Sequence, residues 1–415
     1  MKHRIVVLGA GYAGAYVAGN LARRLSPADT EITVVNAEPD FVERMRLHEL
    51  AAGREIQAPK LEDAFAGTGI RLRVARVTAV DSERRVVTVA DADSGGELGY
   101  DTLVHALGSH VADHGVLGVA EHAFDVTGRP AALRLRARLD SLDSLGRQGE
   151  GGRVAVVGDG LTGIESAAEI AEARPGLSVT LIARGELGAR LSAGARGHLR
   201  RAYGRLGVTV VEHTSVDAVE ATRVRCADGT VLASDATVWT AGFAVHPIAA
   251  ASGLEVTGNG LIVVDRTMRS VSHPHVYAAG DSVHAIGDHG RPLPMSCGSA
   301  GHTGRQVIEA IVGRLTGCEI ATTKLAYSGN HITLGRRDGI LQPVDEEARA
   351  KPEYVGGRKA ARVKEGINKI ALWTISHPTF GLPRRKHRLA VPGREVGSGG
   401  VILTWGEPPD GVWCV

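Results

Sequence analysis

Two stretches of the chain repeat one pattern of apolar and glycine positions. Each opens with a short run of aliphatic residues, at 5–8 and at 154–157, which is typical of a buried parallel strand. Each run ends in glycines with the spacing GxGxxG and continues into an alanine-rich segment of helical character. The pattern therefore predicts a strand, a tight turn and a helix at two well-separated places in the chain.

The glycines of these turns have the arrangement of a dinucleotide fingerprint. The first glycine permits the tight turn, the second lets a pyrophosphate approach the backbone, and the third lets the helix pack closely on the strand. The N–H groups at the start of the helix then face the phosphates. Because spacing and context both occur twice, we predict two dinucleotide sites, with Gly9, Gly11 and Gly14 in the first and Gly158, Gly160 and Gly163 in the second.

The strands after the two turns indicate how each site recognises an adenosine ribose. The first ends in Asn36 where an acidic residue is expected, and Glu38 could supply the carboxylate, so both are candidates. The second ends in Arg184, which can pair with a 2′-phosphate. Arg184 favours NADPH, whereas the nearby Glu186 leaves NADH open.

Three further predicted strands end in small residues, where the backbone can run close to a ligand. One ends at Ala106 and Gly108 and closes the first unit, and another ends at 240–242 and closes the second. The third ends in Gly280 and Asp281. Because a buried carboxylate without a partner is costly, we expect a hydroxyl-rich ligand such as a flavin ribityl chain at Asp281.

The C-terminal region carries an amphipathic segment beside positive charge. Apolar residues recur at helical spacing over 363–375, and a basic cluster follows at 384–388. Such a helix can lie on an anionic membrane or pack against its own protein, and both interpretations remain open.

Composition excludes several other classes of protein. The 415 residues are 43% hydrophobic with a net charge of +2, which indicates a soluble globular protein and gives no support for a nucleic-acid partner. The four cysteines form no CxxC pair, and the histidines at 105, 110 and 114 fit an ordinary loop, so we expect no metal site and no redox dithiol. No leader or 18-residue apolar run is present, so we expect a cytoplasmic protein, with peripheral contact at the inner face of the membrane left open.

Taken together, the motifs resemble those of the FAD-dependent pyridine nucleotide-disulfide oxidoreductase superfamily over about residues 1–320. Five match in order: the two glycine fingerprints, the Ala106-Leu107-Gly108 exit, Thr240-Ala241-Gly242 and Ala279-Gly280-Asp281. The resemblance implies an α/β fold with two Rossmann-like, three-layer domains. It places FAD in the first site, with Asp281 on the ribityl chain and Val77 near the adenine, and NADPH or NADH in the second. The implied domains are 1–111 with 245–322 for FAD, 112–244 for NAD(P)H, and a C-terminal α+β domain over 323–415.

Within this superfamily, the chain looks most like type II NADH dehydrogenases and related quinone reductases. The segment 41–48, where glutathione reductase-type enzymes carry their cysteine pair, contains no cysteine. The AQxAxQ motif at the quinone site of those enzymes becomes 301–306 here, so Gln306 is retained and His302 could replace the lost amide. Glu165, expected in the first turn of its helix, either complements the helix dipole or lies where nicotinamide meets flavin.

These observations predict an enzyme that passes hydride from NAD(P)H to FAD and then electrons to a quinone or quinone-like acceptor. The alternatives are a ferredoxin or rubredoxin reductase, a tailoring oxidoreductase of secondary metabolism, and a signalling flavoprotein of the apoptosis-inducing-factor type. A monomer and a homodimer are both compatible with the sequence.

Overall fold

The computed structural model describes residues 1–91, 95–146, 151–381 and 386–390 of the chain. In chain order, its strands are β1 (His3–Leu8), β2 (Thr30–Asn36), β3 (Ile70–Val74), β4 (Arg76–Asp81), β5 (Val86–Ala90), β6 (Gly95–Gly99), β7 (Thr102–His105), β8 (Ser109–Val111), β9 (Ala123–Phe124), β10 (Arg153–Val157), β11 (Ser178–Ile182), β12 (Thr209–Val211), β13 (Val216–Glu220), β14 (Arg223–Cys226), β15 (Val231–Ala233), β16 (Ala236–Trp239), β17 (Phe243–Val245), β18 (Ile262–Val263), β19 (Val276–Ala278), β20 (Val283–His284), β21 (Gly329–Thr333), β22 (Gly339–Pro343) and β23 (Val355–Gly356). Its α-helices are α1 (Tyr12–Arg24), α2 (Leu47–Ala52), α3 (Leu61–Phe65), α4 (Val119–His122), α5 (Arg129–Gly146), α6 (Leu161–Ala173), α7 (Ala193–Leu206), α8 (Ile248–Ala251), α9 (Cys297–Thr316) and α10 (Gly357–Ser376), and short 3-10 turns occur at Arg44–Arg46 and Gly280–Ser282.

The first parallel sheet contains the strand that leads into the first glycine turn. Its strand order is β19, β7, β1, β2, β3. Ile5 of β1 pairs with Ile32 of β2 on one side and with Thr102 of β7 on the other, and it is fully buried. This burial explains the aliphatic run in the sequence, since a parallel strand is covered on both faces. Because β19 returns from much later in the chain, two separate segments build this sheet.

The second parallel sheet repeats this plan, with strand order β12, β11, β10, β16, β9. In each unit, a three-stranded antiparallel sheet comes before one strand of the parallel sheet in chain order. β4, β5 and β6 come before β7, and β13, β14 and β15 come before β16. The predicted α/β class with two Rossmann-like units is confirmed. The exact domain boundaries stay a prediction.

The β-rich segment 70–80, whose apolar pattern predicts a single strand, is two strands in the structure. β3 extends the first parallel sheet, whereas β4 begins the antiparallel sheet, and the buried Ala75 lies between them. The uninterrupted apolar pattern hides this change of partner strand. A pattern of side-chain burial does not record which neighbour supplies the backbone hydrogen bonds.

The C-terminal strands and α10 pack where the two units meet. Ile332 and Ile340, from β21 and β22, join the same apolar cluster as Leu47 and Leu50 of α2 and the core of the second unit. Helix α10 begins at Gly357, earlier than predicted. Of the predicted basic cluster, positions 384 and 385 lie outside the described residues, and Arg388 forms an ion pair with Asp29 at 2.8 Å. No helix in the described ranges has both the length and the apolar character to cross a membrane.

Candidate functional site

The first glycine turn leaves no room for side chains at two of its three glycines. Gly9 has φ +95°, and a Cβ placed there would lie 2.4 Å from the carbonyl oxygen of Ala106. A Cβ on Gly14 would lie 1.9 Å from the carbonyl oxygen of Gly9. In contrast, a Cβ on Gly11 would meet nothing within 4 Å, and no side chain caps α1, of which Gly11 is the N-cap. The turn therefore closes tightly around an open space before a helix N-terminus, which suits a pyrophosphate.

The second glycine turn has the same geometry. Gly158 has φ +112°, and its Cβ would lie 2.8 Å from the carbonyl oxygen of Thr240. A Cβ on Gly163 would lie 1.9 Å from the carbonyl oxygen of Gly158, whereas Gly160 again faces open space at an uncapped helix N-terminus. Both predicted dinucleotide sites thus have a backbone cradle of the required shape.

The two ribose candidates of the first site differ in availability. Asn36 Oδ1 accepts the backbone N–H of Ala10 at 2.8 Å, and its Nδ2 donates to the carbonyl oxygen of Glu38 at 2.8 Å. Both polar atoms of the Asn36 side chain are therefore used in hydrogen bonds that stabilise the glycine turn, whereas the Glu38 side chain is exposed to solvent. This geometry favours Glu38 for the ribose. Val77, the predicted adenine neighbour, is buried in β4.

At the second site, the positive charge of Arg184 has fewer charged partners than the negative charge of Glu186. Glu186 lies 2.7 Å from Arg196 and 3.5 Å from Arg200, measured between carboxylate oxygens and guanidinium nitrogens. Arg184, just beyond β11, is exposed, and no carboxylate in the described part of the chain pairs with it. The arrangement leaves Arg184 available to an anionic group.

Asp281 lies on a 3-10 turn after β19, next to Gly280 with φ +79°. Its predicted contact with a flavin ribityl chain stays a prediction, but Asp281 also has two protein neighbours. Its Oδ2 accepts a hydrogen bond from Ser109 Oγ at 2.7 Å, and Arg44 Nη1 lies 3.9 Å away. Neither partner is evident from the sequence, because Ser109 reads as part of a strand exit and Arg44 lies in a segment noted only for its lack of cysteine.

Glu165 is buried and bonded to the C-terminal region. Its Oε1 accepts the backbone N–H and the hydroxyl of Thr333, both at 2.8 Å, and lies 3.2 Å from Lys364 Nζ. Burial alone would raise the pKa of this carboxyl, but the charge of Lys364, with help from His48 and Thr333, holds the pKa below its ordinary value. The expected position in the first turn is wrong: no acidic residue lies in the first turn of α6, and Glu165 follows in the next. Its place near the nicotinamide stays a prediction.

The two candidates on α9 have different surroundings. Gln306 is buried, and its Oε1 accepts from the backbone N–H of Thr323 at 2.8 Å while its Nε2 donates to the carbonyl oxygen of Ala321 at 3.1 Å. These hydrogen bonds fix Gln306 against the 321–323 loop, and its catalytic role stays a prediction. His302 is partly buried, which lowers its pKa, and its role stays a prediction. In the ranges that the structure describes, no group of three or more potential ligands could hold a metal ion.

Comparison with known proteins defines the family. Residues 3–304 match the pyridine nucleotide-disulphide oxidoreductase family, and the chain belongs to it. It is 33% identical over 338 residues to an NADH dehydrogenase-like protein of Mycobacterium tuberculosis, covering 76% of this chain and 80% of the relative. It is 27% identical over 353 residues to the demethylphylloquinone reductase of Synechocystis, covering 82% and 86%.

Solved structures support the same fold. The chain superposes on NDH2 of Plasmodium falciparum with a TM-score of 0.76 at 15% identity, over 91% of this chain and 96% of that one. It superposes on the sulfide:quinone oxidoreductase of Aquifex aeolicus with a TM-score of 0.73 at 18% identity, over 91% and 92%. The family, the curated relatives and the two glycine cradles together make this chain an NAD(P)H dehydrogenase of the flavoprotein class.

Proposed function

We propose that the enzyme binds FAD in the first unit and NAD(P)H in the second, and reduces a quinone or quinone-like acceptor. The observation that carries the proposal is the pair of equivalent glycine turns, each open to a helix N-terminus on its own parallel sheet. FAD is assigned to the first unit because Asp281, with 19% of its side chain exposed, can accept hydrogen bonds from a ribityl chain there.

The protein contributes mainly binding and orientation. The N–H groups before α1 and α6 hold the two pyrophosphates, Glu38 binds the first ribose, and Arg184 recognises the nucleotide of the second unit. Bound FAD would supply the redox chemistry, as a two-electron carrier between NAD(P)H and the acceptor. The overall reaction consumes NAD(P)H, a proton and a quinone, and yields NAD(P)⁺ and a quinol.

Two finer assignments belong to this proposal. We favour NADPH over NADH, because Glu186 is engaged by two arginines while Arg184 is available for a 2′-phosphate. We favour a quinone as acceptor because relatives are named NADH dehydrogenase-like protein and demethylphylloquinone reductase.

The test is anaerobic stopped-flow spectroscopy of the purified protein. We expect its flavin absorbance to bleach rapidly with NADPH, more slowly with NADH, and to recover rapidly when a menaquinone or ubiquinone analogue is added. Rapid bleaching with slow recovery would contradict the quinone assignment and favour a protein or specialised acceptor. The absence of bleaching with either nucleotide would contradict the reductase assignment itself.

We also propose that α10 contacts an anionic membrane surface. Three large apolar side chains of α10 and one just beyond its end are exposed: Val363 (48%), Ile370 (40%), Trp373 (42%) and Phe380 (68%). Arginines line an adjoining cavity of about 300 Å³, namely Arg336, Arg337, Arg358 and Arg362. Apolar area beside positive charge is the combination that binds an anionic bilayer from one side.

Vesicle sedimentation tests this contact. We expect binding to phosphatidylglycerol vesicles, loss of binding in the W373A/F380A variant, and no loss in L117A, which removes an exposed apolar residue elsewhere. Failure of the unchanged protein to bind such vesicles would contradict the proposal. Light scattering without lipid then tells whether a second copy covers the same face.

A further inference from the structure

Arg44 connects three parts of the site that lie far apart in the sequence. Its Nη1 donates to the carbonyl oxygen of Ser109 at 2.7 Å, and its Nη2 donates to Ser109 Oγ at 2.9 Å. The guanidinium carbon lies 5.0 Å from the ring centroid of Phe243, a cation–π distance. With Asp281 at 3.9 Å, Arg44 touches the exit of the first unit, the return strand from the second unit and the carboxylate assigned to the ribityl chain.

The local backbone fixes this position. Arg44 begins the 3-10 turn that leads into α2, and its backbone N–H donates to the carbonyl oxygen of Val42 at 2.8 Å. Arg46, at the end of the same turn, contacts Glu43 and Glu49. The two arginines of the turn therefore have separate partners. Glu43 and Glu49 pair with Arg46 and not with Arg44.

The charge of Arg44 is only partly compensated. Its hydrogen bonds go to neutral groups of Ser109, and its closest carboxylate, Asp281, lies at 3.9 Å while accepting the Ser109 hydroxyl. Burial lowers the pKa of Arg44, yet a guanidinium stays protonated in any protein environment near neutral pH. Arg44 keeps 28% and Asp281 keeps 19% of its side chain exposed, so a ligand can reach both.

We infer that Arg44 is a positioning residue that also supplies fixed positive charge to the flavin site. It holds Ser109 and Asp281 in the geometry that receives the ribityl chain, and its charge stabilises the negative charge that the flavin gains on reduction. A cation fixed in a partly dry site acts strongly, because the surroundings screen it less than water does. The inference rests on the proposed FAD site.

The test compares variants that separate charge from hydrogen bonding. R44K keeps the charge, and R44Q keeps hydrogen-bond donors but loses the charge. R71M is the control, because Arg71 forms an exposed ion pair with Glu31 outside the site. FAD content, FAD affinity and the midpoint potential of the bound flavin are measured for each protein.

We expect R44Q to bind FAD about tenfold more weakly, which corresponds to the loss of one charge-assisted interaction, and to have a lower midpoint potential. R44K should retain the parental potential, and R71M should match the parent in both measurements. Loss of FAD from R44Q but not from R44K also supports the inference. Bound FAD with an unchanged potential in R44Q overturns it, whereas a parent protein that binds no FAD overturns the proposed function and this inference with it.

Discussion

At the scale of single residues, the glycine turn separates positions needed for folding from a position needed for the ligand. A methyl group on Gly14 would collide with the Gly9 carbonyl oxygen, whereas one on Gly11 meets no protein atom within 4 Å. We therefore expect G14A to lose thermal stability, and FAD-free G11A to keep the melting temperature of the FAD-free parent but to bind FAD about tenfold more weakly. Calorimetry and flavin titration measure the two effects. G204A, an unobstructed substitution in α7, is the control, and a stability loss in G11A equal to that in G14A would contradict the distinction.

His105 makes the first unit sensitive to acid. It is buried next to Ser282, and burial, with a smaller effect of His246, lowers its pKa to about 4. Between pH 6.5 and 4 the unfolded chain binds a proton that the folded protein does not, so the free energy of unfolding falls as the pH falls. The loss from this residue reaches about 3 kcal/mol below pH 4.

Urea unfolding at pH 7 and pH 5 measures this effect. The H105N variant should lose less stability on acidification than the parent protein does. H122N, which changes an exposed histidine, is the control and should follow the parent. An H105N variant with the parental pH dependence would show that His105 is not responsible.

At the scale of elements, α10 is fixed to the second unit by a buried ion pair. Lys364 Nζ contacts Glu165 of α6 at 3.2 Å and also donates to the carbonyl oxygen of His331 at 2.6 Å. Removing one partner leaves an uncompensated buried charge, so K364M should lower the free energy of unfolding by about 3 kcal/mol. The double variant E165Q/K364M should recover part of this loss.

Equilibrium urea unfolding of K364M, E165Q and the double variant provides the test. K369M is the control, because the Lys369 side chain is 71% exposed and its pair with Glu365 should contribute less than about 1 kcal/mol. Equal losses in K364M and K369M would show that the buried pair does not hold α10 in place.

The same pair illustrates what the sequence could and could not predict. The two glycine turns, with the strand before each and the helix after it, were predictable, because the apolar run and the glycine spacing are local. The partner of Glu165 is 199 residues away, and Arg44 is 65 residues from Ser109. No spacing rule connects such residues, so their contacts emerge only from the assembled fold. Gln306 is assigned to the acceptor site on the resemblance alone, and its hydrogen bonds to Ala321 and Thr323 could not be predicted, because no sequence pattern marks that loop.

At the scale of the whole molecule, the two dinucleotide sites belong to units with separate sheets and separate apolar cores. The residues of β1 and α1 lie in one core cluster, and those of β10 and α6 lie in others. Binding at one site should therefore survive damage to the other, although electrons pass between them. The G160A variant, whose new methyl group meets no protein atom within 4 Å, should retain FAD and the parental melting temperature.

The nucleotide response of G160A should nevertheless be impaired, because the methyl group enters the space assigned to the NAD(P)H pyrophosphate. We expect its dissociation constant for NADPH to rise about tenfold and its flavin to bleach correspondingly more slowly at low NADPH, while dithionite still reduces it fully. G11A should show the reverse pattern, with weakened FAD binding and, once loaded with excess FAD, parental affinity for NADPH. If G160A lost its FAD as readily as G11A does, the two cradles would not be independent, and the assignment of one nucleotide to each unit would have to be abandoned.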